Sequence, residues 1–213
     1  MRKAIAPMKK AAVVLAAALL VTACERKPAP PAPVAPAADA WARVVELAGP
    51  LWIEGAPARV GATAKLGQEL RTGPEAQAIL KLRDGSALRM RGQSRIVLSG
   101  DDGATLNVVA GRVLAVFSPG EHRVETGTAV AGVRGTALYT MVEETATYFC
   151  LCFGAVEVSA KGDPSVRRTL IADHHAAVRV GLLEGRPGLL EAGMEDHSDA
   201  EVKSLEALLK QPF

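Results

Sequence analysis

The stretch Ala78-Ile79-Leu80-Lys81-Leu82-Arg83-Asp84-Gly85-Ser86-Ala87-Leu88-Arg89-Met90-Arg91 holds two alternating runs around a turn signal. Successive side chains of a strand point to opposite faces, so Leu80 and Leu82 share one face, as do Leu88 and Met90. A two-residue Asp84-Gly85 turn would set Leu82 against Ala87 and Leu80 against Arg89, mixing the faces. A three-residue loop, Arg83-Asp84-Gly85, sets Leu80 against Leu88 and Ala78 against Met90, and leaves Gly85 where a left-handed conformation is wanted. The stretch therefore predicts a hairpin. In a solenoid of strands the two runs need not pair.

The same rhythm runs from Trp41 to about Val180. It recurs in Arg95-Ile96-Val97-Leu98, Thr105-Leu106-Asn107-Val108, Arg112-Val113-Leu114-Ala115-Val116-Phe117 and Ala155-Val156-Glu157-Val158. Gly73-Pro74, Gly100-Asp101-Asp102-Gly103, Pro119-Gly120 and Gly162-Asp163-Pro164 punctuate the gaps. Regular short strands with turn signals predict an all-β domain, either a short-stranded β-solenoid or a β-sandwich. The tail differs. Ser198-Asp199-Ala200-Glu201 is a capping box, and Val202, Leu205, Leu208 and Leu209 follow at helical spacing. They predict one amphipathic helix over 199–210, ending before Pro212 and packed on the β domain. Lys81, Arg83, Arg89, Arg91 and Arg95 read as a basic row on a solvated sheet face. The other reading of that row is a stripe for anionic cell-wall or lipid head groups.

The N-terminus reads as an export signal. Arg2, Lys3, Lys9 and Lys10 precede an apolar run of eleven residues, 11–21. That is too short for a membrane span, which needs about 20 residues, and it suits a secretory signal. Leu20-Val21-Thr22-Ala23-Cys24 is similar to the lipobox of bacterial lipoproteins. The resemblance implies cleavage before Cys24 and acylation of its thiol. Four of the 25 basic residues and none of the 23 acidic ones lie in 1–23, so the remainder carries a net charge of −2. This removes a global charge argument for nucleic acid as a partner. Residues 25–38, ERKPAPPAPVAPAA, read as an extended polyproline spacer of roughly 40 Å at most. The expected organisation is a signal peptide over 1–23, a lipidated Cys and Pro/Ala-rich linker over 24–39, a β domain over 40–185 and a C-terminal extension with a helix over 186–213.

Five blocks in order resemble the FecR domain family. They are Leu82-Arg83-Asp84-Gly85-Ser86-Ala87-Leu88, Leu106-Asn107-Val108-Val109-Ala110-Gly111-Arg112-Val113, Arg123-Val124-Glu125-Thr126-Gly127, Ala131-Gly132-Val133-Arg134-Gly135-Thr136-Ala137-Leu138 and Gly154-Ala155-Val156-Glu157-Val158. The resemblance spans about residues 60–160. It implies an extracytoplasmic β-rich module of the kind associated with relaying or sensing signals in iron-uptake regulation. Gly85, Gly111, Gly135 and Gly154 are expected at turns or close approaches where a Cβ would clash. The iron-uptake role itself is not expected to transfer. A lipid anchor in one leaflet cannot by itself carry a signal into the cytoplasm. What the resemblance leaves is a lipid-anchored, non-catalytic binding, scaffold or envelope-sensing module facing the periplasm. Glu25, rather than Asp, after the lipidated Cys favours the outer membrane by resemblance to lipoproteins. The expected partners are the membrane, through the lipid, and another envelope protein or a cell-wall component.

Cys150-Leu151-Cys152 is the sharpest chemical feature. On a strand over 147–153, Phe149, Leu151 and Phe153 form one face, and Cys150 and Cys152 share the other with Tyr148. Two thiols at i and i+2 can both bind a soft metal ion. Strand geometry holds their Cα atoms near 6.5 Å apart, at the upper limit for a disulfide. His174 and His175 would point to opposite faces of a strand, His174 inward with Leu170, Ala172, Val178 and Val180. One of them is thus available to a site with the cysteines, and Asp196-His197 could add a ligand. A metal site at Cys150, Cys152, His174 and His175, a redox pair, and plain burial of two small hydrophobes all remain open. His122 reads as a surface residue. The chain contains no GxSxG, P-loop, GxGxxG or HExxH. A Cys–His dyad would lack an evident third group to orient it, so no catalytic residue and no cofactor beyond such an ion is expected.

Overall fold

The computed structural model describes residues 37–102 and 104–213. The signal peptide, Cys24 and nearly all of the linker lie outside the described residues. In chain order the strands are β1 Ala42–Ala48, β2 Leu51–Ile53, β3 Ala56–Pro57, β4 Thr63–Ala64, β5 Glu69–Thr72, β6 Gln77–Leu82, β7 Ala87–Met90, β8 Arg95–Ser99 and β9 Thr105–Ala110. There follow β10 Arg112–Val116, β11 Glu121–Glu125, β12 Ala129–Arg134, β13 Ala137–Val142, β14 Ala146–Ala160, β15 Asp163–Ala172, β16 Ala176–Leu183, β17 Arg186–Ala192 and the helix α1 Asp199–Leu209.

These strands join one continuous ladder folded into two layers. One layer runs β4-β1-β6-β7-β10-β13-β14-β16-β17. The other runs β3-β2-β5-β8-β9-β11-β12-β14-β15. All these pairings are antiparallel except β9 with β11. The long strand β14 belongs to both layers. Ala146–Leu151 pair with β16, and Gly154–Ala160 pair with β15. The chain changes layer at Gly154, whose φ is +92°. A Cβ there would sit 2.8 Å from Thr136 Cγ2, so a side chain meets both a strained backbone and a neighbour.

The β6–β7 hairpin has the register that alternation required. Leu80 pairs with Leu88 and Ala78 with Met90. The Leu82 N–H donates to Ser86 O at 2.8 Å, the Gly85 N–H donates to Leu82 O at 3.1 Å, and Gly85 takes φ +94°. The sheet, however, continues past residue 185. Glu184 and Gly185, at φ +52° and +78°, turn the chain back so that Leu183 meets Arg186 and β17 pairs with β16 out to Ala192. Pro187 and Gly188 hide this strand from an alternation search, and Pro is tolerated because β17 lies at the layer's edge.

Leu80, Leu88, Met90, Phe149 and Val178 from the first layer meet Leu70, Ile96, Val108, Val156 and Val158 from the second in one buried cluster. The first layer also buries its other face. Ile79, Leu114, Tyr139, Tyr148 and Cys150 pack with Val202 and Leu205 of α1. The helix is therefore the cover of a second core, and its capping box, Ser198 with Glu201, forms as the spacing implied.

That cover corrects the reading of the basic row. Lys81 is 2% exposed. Its ammonium donates to Leu208 O at 2.7 Å, Leu209 O at 3.2 Å and Gly85 O at 2.7 Å. The last turn of α1 has no basic residue of its own, so Lys81 brings the positive charge to the helix-end carbonyls, where Leu208 O also accepts from the Gln211 N–H at 3.0 Å. Burial lowers the Lys81 pKa, and Asp84 opposes the shift. At the other end of the helix, Arg91 Nη2 donates to Glu201 Oε1 at 2.8 Å, and Arg89 lies 3.3 Å from the same oxygen. Arg83 donates to Ala40 O and Ala38 O at 2.6 and 2.7 Å. Arg83 and Arg95 keep the expected surface position, Arg95 3.7 Å from Glu69.

Two substitutions test these constraints. Lys81→Met removes the charged donor from helix-end carbonyls and should cost about 2 kcal/mol. Limited proteolysis should then cut within 199–213 before it cuts the sheet. Unchanged denaturation and cleavage would refute the role given to Lys81. Gly154→Ala should cost about 2 kcal/mol from backbone strain and the Thr136 contact. Combining it with Thr136→Ser should recover part of that loss in urea unfolding, as expected for groups in contact. Strict additivity would show that the contact carries nothing.

Candidate thiol–imidazole site

Alternation in the first half of β14 sends Phe149 and Leu151 into the core between the layers and Tyr148, Cys150 and Cys152 into the second core, which they share with Val202 and Leu205. Both thiols are free, Cys150 at 0% and Cys152 at 5% exposure. The shared face inferred for the CxC spacing is therefore present, and the segment before α1 closes over it.

The histidines do not sit on a strand. Asp173, His174 and His175 form the turn between β15 and β16, and His175 has φ +47°. Strand parity does not apply there, and the inward residue is the reverse of the expected one. The His174 side chain is 71% exposed, whereas that of His175 is 8% exposed. The His175 N–H donates to Cys152 O at 3.1 Å, fixing the turn against β14. His175 Nδ1 then lies 3.5 Å from Cys150 Sγ.

A second imidazole arrives from the segment between β17 and α1. His197 is 7% exposed and stacks on Tyr139, with ring centroids 4.6 Å apart and planes at 12°. Its Nε2 lies 3.4 Å from Cys152 Sγ. Tyr139 is itself held by Asp196 Oδ2, 2.6 Å from its hydroxyl, and the same carboxylate oxygen accepts from Arg112 at 3.0 Å. Tyr148 donates to Gly193 O at 2.8 Å and accepts from the Glu195 N–H at 2.9 Å. The strand face and the tail thus lock each other around the thiols.

The outer partners set the tautomers. Glu195 O can only accept, so His197 Nδ1, 2.8 Å away, donates to it and leaves Nε2 as a lone pair facing Cys152. An Asp199 carboxylate can only accept, so His175 Nε2, 2.7 Å from Oδ1, donates and leaves Nδ1 facing Cys150. His174 Nε2 reaches the other Asp199 oxygen at 3.1 Å and plays no part at the thiols.

The Cys152 S–H holds the Cys150 thiol below its ordinary range; burial opposes this, and the two imidazoles reinforce it. The same contact raises Cys152, with burial adding to the effect. Burial works against the charged form of His197, but Cys150 and the Glu195 carbonyl leave it raised. Burial raises Tyr139 and Tyr148 well above the usual phenol value.

Cys150, His175 and Asp199 stand in the order of a nucleophile, a base and an orienting carboxylate. The sequence reading missed that third group because Asp199 reads as the first residue of a capped helix. Cys150 has no exposed surface, so its sulfur cannot meet a substrate in this structure. His122 is not on the surface. Its side chain is 6% exposed, with Nε2 2.9 Å from Ser118 O and its ring 5.0 Å from that of Phe117. Gly85, Gly111, Gly135 and Gly154 take φ of +94°, +83°, +57° and +92°. The first three lie in the connections between strands, and Gly154 marks the bend of β14.

Comparison with known proteins bears on the domain rather than on this cluster. Two crystal structures from Parabacteroides distasonis, each described as a "putative anti-sigma factor", match at 14% and 15% identity with TM-scores of 0.50 and 0.49. Each match covers 60% of this chain and 60% of the other, and the first supports the all-β fold alone. The comparison with curated proteins finds no match. Residues 68–157 match the family model described as FecR protein. That match, over less than half of the chain, takes in four of the five glycine-strand blocks in full and the fifth as far as Glu157, so the segment is similar to a FecR domain.

Proposed function

We propose that the protein is a lipid-anchored, non-catalytic FecR-type module of the bacterial envelope, facing the periplasm from the outer membrane. The observation that carries this reading is the FecR match over residues 68–157, read together with a Cys24 that follows a charged and then apolar leader. The domain belongs to a family associated with envelope signalling. No helix among the described residues is long and apolar enough to cross a membrane, so in this reading the acyl chains on Cys24 provide the attachment. The Pro/Ala-rich spacer lets the domain stand off from the bilayer and meet another envelope protein or a cell-wall component. A sealed, 0%-exposed Cys150 supports a binding or sensing role over hydrolysis.

Replacing the chromosomal gene with a Cys24→Ala version tests the anchor. The wild-type chain should incorporate labelled palmitate and sediment with outer membranes on a sucrose gradient, while the variant should incorporate none and leave the membrane fraction. Equal membrane association of the two would refute lipid attachment. Deleting the gene should alter envelope integrity, envelope composition or the transcription of envelope genes. A deletion strain matching its parent in all three would refute the sensing and scaffold role.

A further inference from the structure

The geometry points to a closed, four-ligand site for a zinc-class ion formed by Cys150, Cys152, His175 and His197. Two of these residues lie inside the FecR match and two lie beyond it, so family membership does not supply the site.

Distances support the assignment. In a tetrahedral site with Zn–S near 2.3 Å and Zn–N near 2.0–2.1 Å, a sulfur and a nitrogen ligand stand about 3.6 Å apart. The two S···N separations here are 3.5 and 3.4 Å. One ligand atom each of Cys150, His175 and His197 lies within 4.8 Å of the other two. Cys152 joins them through His197 Nε2, 3.4 Å from its Sγ, and would turn its thiol toward the ion as the fourth ligand.

The outer partners support it independently. Metal-binding imidazoles characteristically donate their second nitrogen to a carboxylate or a backbone carbonyl, which fixes the tautomer and aims the lone pair at the ion. His175 does this with Asp199, and His197 does it with Glu195 O. Both lone pairs converge on sulfur. Two thiolates with two imidazoles form the donor set of a tetrahedral structural zinc site, and with four protein ligands no open position is left of the kind a catalytic zinc keeps. A redox pair fits less well. The thiols lie at i and i+2 of a strand, near the limit of disulfide reach, and such a bond would leave both imidazole lone pairs unused.

The ligands come from three places: β14, the β15–β16 turn, and the segment before α1. An ion at this point therefore ties the tail to the sheet. The expected consequence is that metal binding governs docking of residues 193–213. This is independent of the anchoring proposal, because it is read on purified protein.

The test uses the full chain, purified reduced in detergent and stripped of metal with a chelator. Titration with Zn2+ should give one tightly held ion per chain and protect the tail from proteolysis. Co2+ should give thiolate-to-metal charge-transfer absorption together with the intense visible bands of tetrahedral cobalt. Cys150→Ser and Cys152→Ser should each remove about half of the charge-transfer intensity, and His197→Ala should weaken binding strongly. Asp199→Asn, acting through His175, should weaken it by about 10- to 100-fold. His174→Ala should leave it unchanged. The wild-type cobalt spectrum decides the matter even if a cysteine variant fails to fold. A native chain with two titratable thiols and no retained zinc, a Cys150–Cys152 disulfide found by mass spectrometry, or a cobalt spectrum without thiolate bands would each overturn the proposal.

Discussion

Lys81 is an ammonium buried in a β-sheet, held by carbonyls from a hairpin loop and from the end of a distant helix. A charge in that position is tolerated only because oxygens surround it. Its neighbours explain why it is there. The first layer is apolar on both faces, as Leu80 and Leu82 on one side and Ile79 on the other demonstrate. A sheet of that kind needs two covers. The second layer is one, and the tail, through Val202 and Leu205, is the other. Lys81 at one end of α1 and the Arg89, Arg91 and Glu201 cluster at the other fix where that second cover sits.

The same seam creates the thiol–imidazole cluster. Cys150 and Cys152 are buried because the segment leading into α1, from Gly193 to His197, closes over β14. Without the tail they would lie on an open sheet face with neither His197 nor Asp199 nearby. The bend at Gly154 contributes as well. Up to Phe153 the strand presents its thiols to the tail, and from Gly154 onward it serves the other layer. Its change of layer also brings β15 and β16 together through the turn that carries His175. Fold and site thus depend on one arrangement, a long bent strand closed over by the tail from the far end of the chain.

Alternation of side chains resolved much of the first layer in advance. The Leu80–Leu88 and Ala78–Met90 pairs and the left-handed Gly85 follow from parity alone, because a shift of one residue would exchange buried and exposed faces. The capping box gave the helix for a similarly local reason. Parity failed at His174 and His175 because the chain turns there, and a positive φ at His175 reverses which imidazole points inward. It failed at β17 because Pro187 and Gly188 carry no alternation. The basic row misled because charge in a sequence marks solvent only when no other element covers it.

The amino-acid sequence by itself determined local matters: the strand rhythm, the hairpin register, the glycine turns, the helix and its cap, the shared face of Cys150 and Cys152, and the order of blocks that marks the FecR domain. All but the last depend on residues within a few positions of one another, where backbone geometry leaves little choice. Only the tertiary structure decided which face of the first layer the helix covers, that Lys81 and Arg91 are helix anchors rather than a solvent stripe, and which histidines reach the thiols. These contacts join residues as far apart as Lys81 and Leu208. They follow from the need to cover a second apolar face, which no local pattern records.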